Sequence, residues 1–461
     1  GANGLTGAIA IGYQAFSGLT TGIQNTAIGY QSGRTTTTGA RNTFLGYEAG
    51  EDTTGGSDNT YLGNRAGGDH TGTYNTFVGS NTGKGVSGGS SNGSSNTAVG
   101  YNAVNAITTG YGNTAVGTET LDAVTEGFYN IGIGPAAGGS ITTGDYNIAI
   151  GYAAFDAATT AGSTIAIGYA ALSAYSHGEN SFNVAIGTQT AYLKTSGRFN
   201  TYIGGYKSAA ADLTGQYNAY FGSYTNQFGT DTDNTTLIGY SAGRYATGSR
   251  NTFVGSEAGK GGTTSAPYSS GEYNVGVGYQ SLMGFTTLQG TTAIGYEAMT
   301  DVTTGEYNVA IGYQAGYYGT GSYNVKIGAF ADKNQNSNGS YNIVIGYRAV
   351  EGRIGDGNVG IGYYGMRYAA GGNSNTAVGE SSLQYIQGNY TTVIGSQAGR
   401  YATGSYNTFM GYRAGRGGNT SAPYTSGVQN TAVGYQALYS YTTANYNAAF
   451  GMEALRVATT G

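Results

Sequence analysis

The chain has no cysteine, no tryptophan, only 3 prolines in 461 residues, and little charge of either sign. Without cysteine there are no disulfides and no thiolate metal sites, and the redox compartment stays open. With 24 acidic residues against 19 basic ones, nothing draws the chain to nucleic acid or to an anionic membrane surface. No apolar run escapes glycine for the roughly 20 residues a membrane span needs, and residues 1–14 hold neither a charged leader region nor a long apolar stretch. Membrane insertion is therefore not expected. Two histidines, His70 and His177, lie in distant segments with no Ser, Asp or Glu constellation nearby, so no catalytic residue, metal site or cofactor site is assigned. The run from Gly360 to Gly365 matches GxGxxG, but no helix or βαβ unit follows it. The 24 acids are too few and too scattered to supply the aspartate that calcium-binding β-rolls need in each turn. Asn-X-Ser/Thr at Asn92, Asn234, Asn338, Asn389 and Asn419 is what chance gives in an Asn- and Thr-rich repeat.

What the chain does have is 86 glycines and 44 tyrosines arranged in a strict period. A large apolar residue followed by glycine recurs 26 times, as in Ile28-Gly29, Leu45-Gly46, Ile311-Gly312 and Phe450-Gly451. Thirteen of the 25 intervals are 17 residues and six are 16. Self-similarity at such a spacing is the mark of a solenoid, so residues 1–461 read as one repetitive β-solenoid rod and not as several globular domains. Neighbouring strands lie about 4.8 Å apart, so the rungs would stack to a rod on the order of 120 Å long. The repeat is in register at Ile11-Gly12 and still running at Phe450-Gly451. Solenoids normally carry capping repeats, so the rod is expected to be a piece of a longer fibre or a unit that stacks end to end.

With the marker glycine as position 0, position −1 is always apolar and −3 is usually Thr, Val or Ile (Thr26, Val184, Ile343). This β-branched pair at spacing two predicts a short strand with its −1 and −3 face in the core, which places Ile311 inside and Lys326, at −2, outside. Position −4 is Asn in 21 rungs, usually three residues after a glycine (Gly22, Gly39, Gly144, Gly404), and both types tolerate positive φ at a tight corner. Position +1 is Tyr in 14 rungs, and a second tyrosine set sits at −5 (Tyr74, Tyr146, Tyr307, Tyr406). Stacked rings would stiffen the rod, and this reading outweighs ligand binding. After the glycine a bend, a second weaker strand and a Thr/Ser/Gly-rich turn complete the rung. Basic residues at +5 (Arg34, Lys84, Arg244, Arg400, Arg416) read as a solvated edge that limits lateral aggregation. One such rung buries little apolar area against the entropy of ordering it. Several chains sharing an axial core would remove the deficit, most simply in a parallel homotrimer, intertwined or side by side.

Three rungs are long, and two carry the same insert, Thr264 to Tyr268 and Thr420 to Tyr424, both reading TSAPY. Gly239–Leu282 and Gly395–Leu438 are identical at 30 of 44 positions, so a nine-rung block has been duplicated. Inserts on a repetitive scaffold are where recognition is usually carried, which makes Pro267, Tyr268, Pro423 and Tyr424 candidate lateral binding residues.

The strings NTAIGYQS (Asn25 to Ser32), NVAIGYQA (Asn308 to Ala315) and NTAVGYQA (Asn430 to Ala437) resemble the head repeats of YadA-like trimeric autotransporter adhesins, and also the repetitive shafts of phage tail fibres. The resemblance implies a left-handed parallel β-roll built from three chains, on a cell surface or virion. The repeat here is longer than the adhesin repeat, and no coiled-coil stalk, membrane-anchor barrel or chaperone domain is apparent. The expected function is that of an extracellular structural or adhesive fibre, not an enzyme, whose partners are its own copies and a host-surface receptor or glycan. The alternative is an ice- or glycan-binding solenoid working through flat Thr/Tyr ladders, although no Thr-X-Thr motif repeats strictly.

Overall fold

The computed structural model describes residues 6–87, 91–178, 180–262, 264, 268–334, 338–418 and 424–458. The chain forms two compact units, Gly1–Asn234 and Thr235–Gly461. Each is a parallel β-solenoid of thirteen turns, with strands from Ile9–Ile11 to Ala219–Phe221 in the first and from Thr236–Ile238 to Ala448–Phe450 in the second. Pairing is in register, so like stacks on like: Thr97 on Thr114, Ala98 on Ala115, Val99 on Val116.

The strand ends at the marker glycine, except in Val184–Thr188 and Thr201–Tyr206, which run past it, and it does so for two physical reasons. At Gly46 the backbone has φ +142°, and a Cβ would sit 2.2 Å from the carbonyl oxygen of Gly63 in the next turn. The glycine at −7 has a different purpose. Gly39 has no positive φ, but a Cβ there would lie 2.1 Å from the Gly56 oxygen, so it is required for close approach alone. Positive φ falls instead at −5, +2 and +4, as at Tyr146 (58°), Glu119 (53°) and Leu121 (50°). These left-handed residues break the extended path, so the expected second strand is reduced to isolated bridges such as Ala402 with Thr425 and to one short pair, Ser440–Tyr441 with Val457–Ala458. Successive turns still bond through the bend, for example Gly33 N–H to the Ala49 oxygen at 2.9 Å and Thr37 N–H to the Thr54 oxygen at 2.8 Å.

The core lies within a single chain, and the predicted faces are reversed. Position −2 is buried in every kind of turn, as in Ala27, Phe44, Tyr61 and Lys326, whereas Ile311 at −1 is 38% exposed. The interior is filled from −2, +3, +4 and +7 together, as Ala115, Thr120, Leu121 and Val124 do in one turn. Each turn therefore closes its own core, and the premise that a rung alone buries too little is corrected. Sizes at −2 and +4 exchange. Aromatic Phe44, Tyr61, Phe77, Phe253 and Phe409 are matched by Gly50, Gly67, Gly83, Gly259 and Gly415, where a Cβ would meet the ring at 2.9 Å or less. In eleven of the fifteen turns where −2 is Ala or Gly, +4 is large, as in the fully buried Val104, Leu121, Phe155, Leu172 and Met366; the turns of Gly33, Gly138, Ala191 and Gly316 depart from the exchange. Interior rings also stack along the axis, with Phe44, Tyr61 and Phe77 at successive centroid spacings of 5.1 Å.

The buried asparagines form a ladder inside the roll. Asn130 donates Nδ2–H to the Gly144 oxygen at 2.8 Å, and its Oδ1 accepts from Asn147 N at 3.0 Å and Asn147 Nδ2 at 3.0 Å. Asn130→Ala would strand the Gly144 oxygen and the Asn147 backbone N–H away from water, and would leave the Asn147 side-chain amide only its bond to the Ala161 oxygen. A loss of about 2–4 kcal/mol is expected, measured as faster amide exchange in the turns that hold Asn130 and Asn147.

Candidate functional site

Burial of −2 turns −1 and −3 outward, so each unit carries a strip of half-exposed aliphatic side chains along its strands. Leu45, Val99 and Ile394 are 42%, 40% and 41% exposed. At such exposure each leaves on the order of 70 Å² in water, and the members so exposed, eight in the first unit and six in the second, make a strip of roughly 400–600 Å² in each, at the top of what a soluble monomer ordinarily shows in one apolar patch. Tyrosine ladders flank it. At +1, Tyr13, Tyr30 and Tyr47 stack at 5.3 and 5.2 Å, as do Tyr279, Tyr296 and Tyr313 at 5.2 and 5.1 Å. At −5, Tyr307, Tyr323 and Tyr341 stack at 5.3 and 5.2 Å. The rings cover one another's faces, as the stiffening role requires.

A second feature is the corner formed by +2, +5 and +6, where the basic edge was expected. In several turns its charges are paired: Arg34 with Glu51 at 2.8 Å, Arg65 with Glu48 at 2.6 Å, Lys260 with Glu257 at 2.6 Å, and Arg367 with Glu351. Arg65 and the Tyr47 hydroxyl hold the Glu48 carboxyl below its usual range despite the penalty of burial. Arg400 and Arg413 meet amides instead, Arg400 Nε–H donating to Gln384 Oε1 at 2.7 Å and Arg413 Nε–H to Gln397 Oε1 at 2.9 Å.

In the long turns the extra residues follow this corner in sequence. Gly85, Gly261 and Gly417, all at +6, have φ of 81°, 95° and 92°, and Ser91, Ser269 and Thr425 further along are buried. Pro267 and Pro423 lie outside the described residues. Tyr268 and Tyr424 are half-buried and do not project freely. Tyr268 stacks on Tyr245 at 6.0 Å, and Tyr424 packs against Tyr385 at 4.5 Å and Tyr401 at 6.2 Å.

His70 is buried inside the first unit, where desolvation lowers its pKa to about 4; its Nδ1 accepts from Gly72 N at 3.2 Å. His177 is exposed at an open cavity of about 510 Å³ lined also by Arg198, Asp231 and Asp233. Among the described residues no three His, Cys, Asp or Glu side chains converge as a metal site, and no helix is long and apolar enough to cross a membrane.

Sequence reasoning missed two buried ion pairs. Lys194 and Asp212 are fully buried at 3.6 Å in the first unit, and Lys326 and Asp332 are nearly so at 2.8 Å in the second. Lys194 Nζ–H also donates to the Gly215 oxygen at 2.7 Å, while Asp212 accepts from the Tyr202 hydroxyl at 2.5 Å and Gly215 N at 2.9 Å. Burial lowers the Lys194 amine and raises the Asp212 carboxyl, each opposed by the other's charge. A lysine at −2 was a visible signal for the second pair, since only a buried partner tolerates it there.

Comparison with protein-family models and with curated protein sequences finds no match to this chain.

Proposed function

We propose that this chain is the shaft of an extracellular attachment fibre, of the bacterial-adhesin or phage tail-fibre type. In this reading three parallel copies pack through their apolar outer strips, and the chain catalyses no reaction. The shaft presents a receptor- or glycan-binding surface at a distance and extends by end-to-end association. The observation that carries the reading is the strip itself: an in-register row of Ile, Val and Leu left half-exposed by a solenoid whose core is already complete. A rod with no need of partners would place polar residues there, as antiparallel and solenoid faces in water ordinarily do. Parallel copies would bring like rows together, giving an apolar axis of the kind obligate assemblies use.

Sedimentation equilibrium tests this directly. The intact chain is expected to be a trimer. Ile311→Asp with Ile294→Asp should leave the strand spectrum intact and shift the assembly to monomer by at least tenfold in dissociation constant, because the outer position is not in the chain's own core. A monomeric wild-type chain would overturn the proposal.

One observation favours a second reading. Thr26, Thr43, Thr60 and Thr76 stack in register on the same outward face as the aliphatics. An ice-binding solenoid would use such rows, and clear thermal hysteresis by the intact chain would replace the shaft reading.

A further inference from the structure

The duplicated block supplies its own comparison. Its first copy holds Arg244, Ser256, Glu257, Lys260 and Met283, and its second holds Arg400, Tyr412, Arg413, Arg416 and Tyr439 at the same places. In the first copy the corner is electrostatically closed. Lys260 and Gln280 both bond Glu257 at 2.6 Å and hold its carboxyl below the usual range, with Arg244 adding to the effect. In the second copy the carboxylate has become Arg413, so three cations share the corner where the first copy carries two cations and one anion. Gln384 accepts from Arg400 and Gln397 from Arg413, but an amide neutralises no charge. No carboxylate lies within ion-pair distance of Arg400, Arg413 or Arg416 among the described residues. Arg416 Nε is buried without a hydrogen-bond partner there. Two tyrosines have been gained at this corner, Tyr412 for Ser256 and Tyr439 for Met283, while Tyr240 of the first copy has become Ser396. Arg413 lies over Tyr412 at 4.9 Å and Arg416 over Tyr439 at 5.3 Å, beside Tyr401 and Tyr424, which the first copy already has as Tyr245 and Tyr268.

We infer that this corner is a binding site for an anionic polysaccharide, whose acidic groups meet Arg400, Arg413 and Arg416 while its sugar rings lie against the neighbouring tyrosines. The inference rests on the attachment reading and gives it a receptor class. Guanidiniums match carboxylate and sulfate by paired donors, and aromatic rings offer rigid contact at low entropic cost. A small inorganic ion would leave the added tyrosines without a purpose. A nucleic acid would need a longer basic track, and this chain carries a net charge of −5.

The test measures binding of dextran sulfate, alginate, uncharged dextran and single-stranded DNA to the full chain. Dextran sulfate, alginate or both should bind, weakening with salt, and dextran should not; the tighter of the two identifies sulfate or carboxylate as the recognised group. Arg413→Glu recreates the closed first copy and should weaken binding at least tenfold, with Arg413→Gln intermediate and melting temperatures unchanged. Glu257→Arg should open the first copy and raise the number of polymer-binding sites per chain. Absence of binding by both acidic polymers, equal affinity of wild type and Arg413→Glu, or tighter binding of DNA would overturn the inference. Sedimentation of the same samples separates the two proposals: a trimer that ignores the polymers leaves the shaft standing without this site, and a monomer that binds them does the reverse.

Discussion

Gly46→Ala is expected to open the turn that carries it, at a cost of more than about 4 kcal/mol. Two penalties coincide. The backbone there has φ +142°, a region that only glycine occupies readily, and the new methyl would lie 2.2 Å from the Gly63 oxygen and 2.7 Å from its carbonyl carbon. Both are backbone atoms fixed by the next turn, so no side chain can swing away. Gly55→Ala is the control, since it has no positive φ and its Cβ would meet only Thr38 Oγ1, at 3.7 Å. That change should fall within about 0.5 kcal/mol of wild type. Hydrogen exchange at Leu45, Gly46 and Tyr47 is the suitable readout, because a repeat array need not unfold as one unit. Equal protection in the two variants would refute the account of the marker glycine.

The second large effect is expected at the Lys194–Asp212 pair. Lys194→Ala leaves a buried carboxyl whose main cationic partner is gone, and a loss of about 3–5 kcal/mol should follow. Replacing the group as a whole costs less than breaking it. Lys194→Met with Asp212→Leu and Tyr202→Phe removes the three polar side chains together; the Gly215 oxygen keeps its bond from Asn200, only the Gly215 N–H loses its acceptor, and the triple variant should recover most of the loss. Local stability by hydrogen exchange around Tyr202 gives both values. A single variant no worse than the triple would mean that the pair is not the buried, mutually dependent unit described here.

The period, the strand positions and the tyrosine ladders were legible because an in-register stack makes each residue its own neighbour's template. The facing of the strand was not. Regularity at −1 and −3 looked like a core, yet it belongs to the outside, where Val99 packs beside Val116 and nothing limits its size except its copies. The interior is irregular because it must be filled at constant volume: Phe409 requires Gly415, and Ala115 requires Leu121. Reciprocal exchange between −2 and +4 was present in the sequence and would have assigned the faces. The TSAPY tyrosines were legible as special but not as stacked, since their partners Tyr245, Tyr385 and Tyr401 lie on other turns. Nor could spacing alone reveal the open basic corner. Its meaning came from setting Arg413 beside Glu257, where the structure shows the acidic residue bridged to Lys260.

The asparagine ladder gives the solenoid a direction. Each Oδ1 accepts from the turn that follows it in sequence, as Asn113 does from Asn130 and Asn130 from Asn147. A finished turn therefore exposes an acceptor that the next turn alone can fill. On a ribosome adding about 5–20 residues per second, a new turn is completed every one to three seconds, and it always meets a preformed template on its N-terminal side. Folding of the solenoid is thereby a vectorial process, in which synthesis itself supplies the order of zipping and no distant segment has to be awaited.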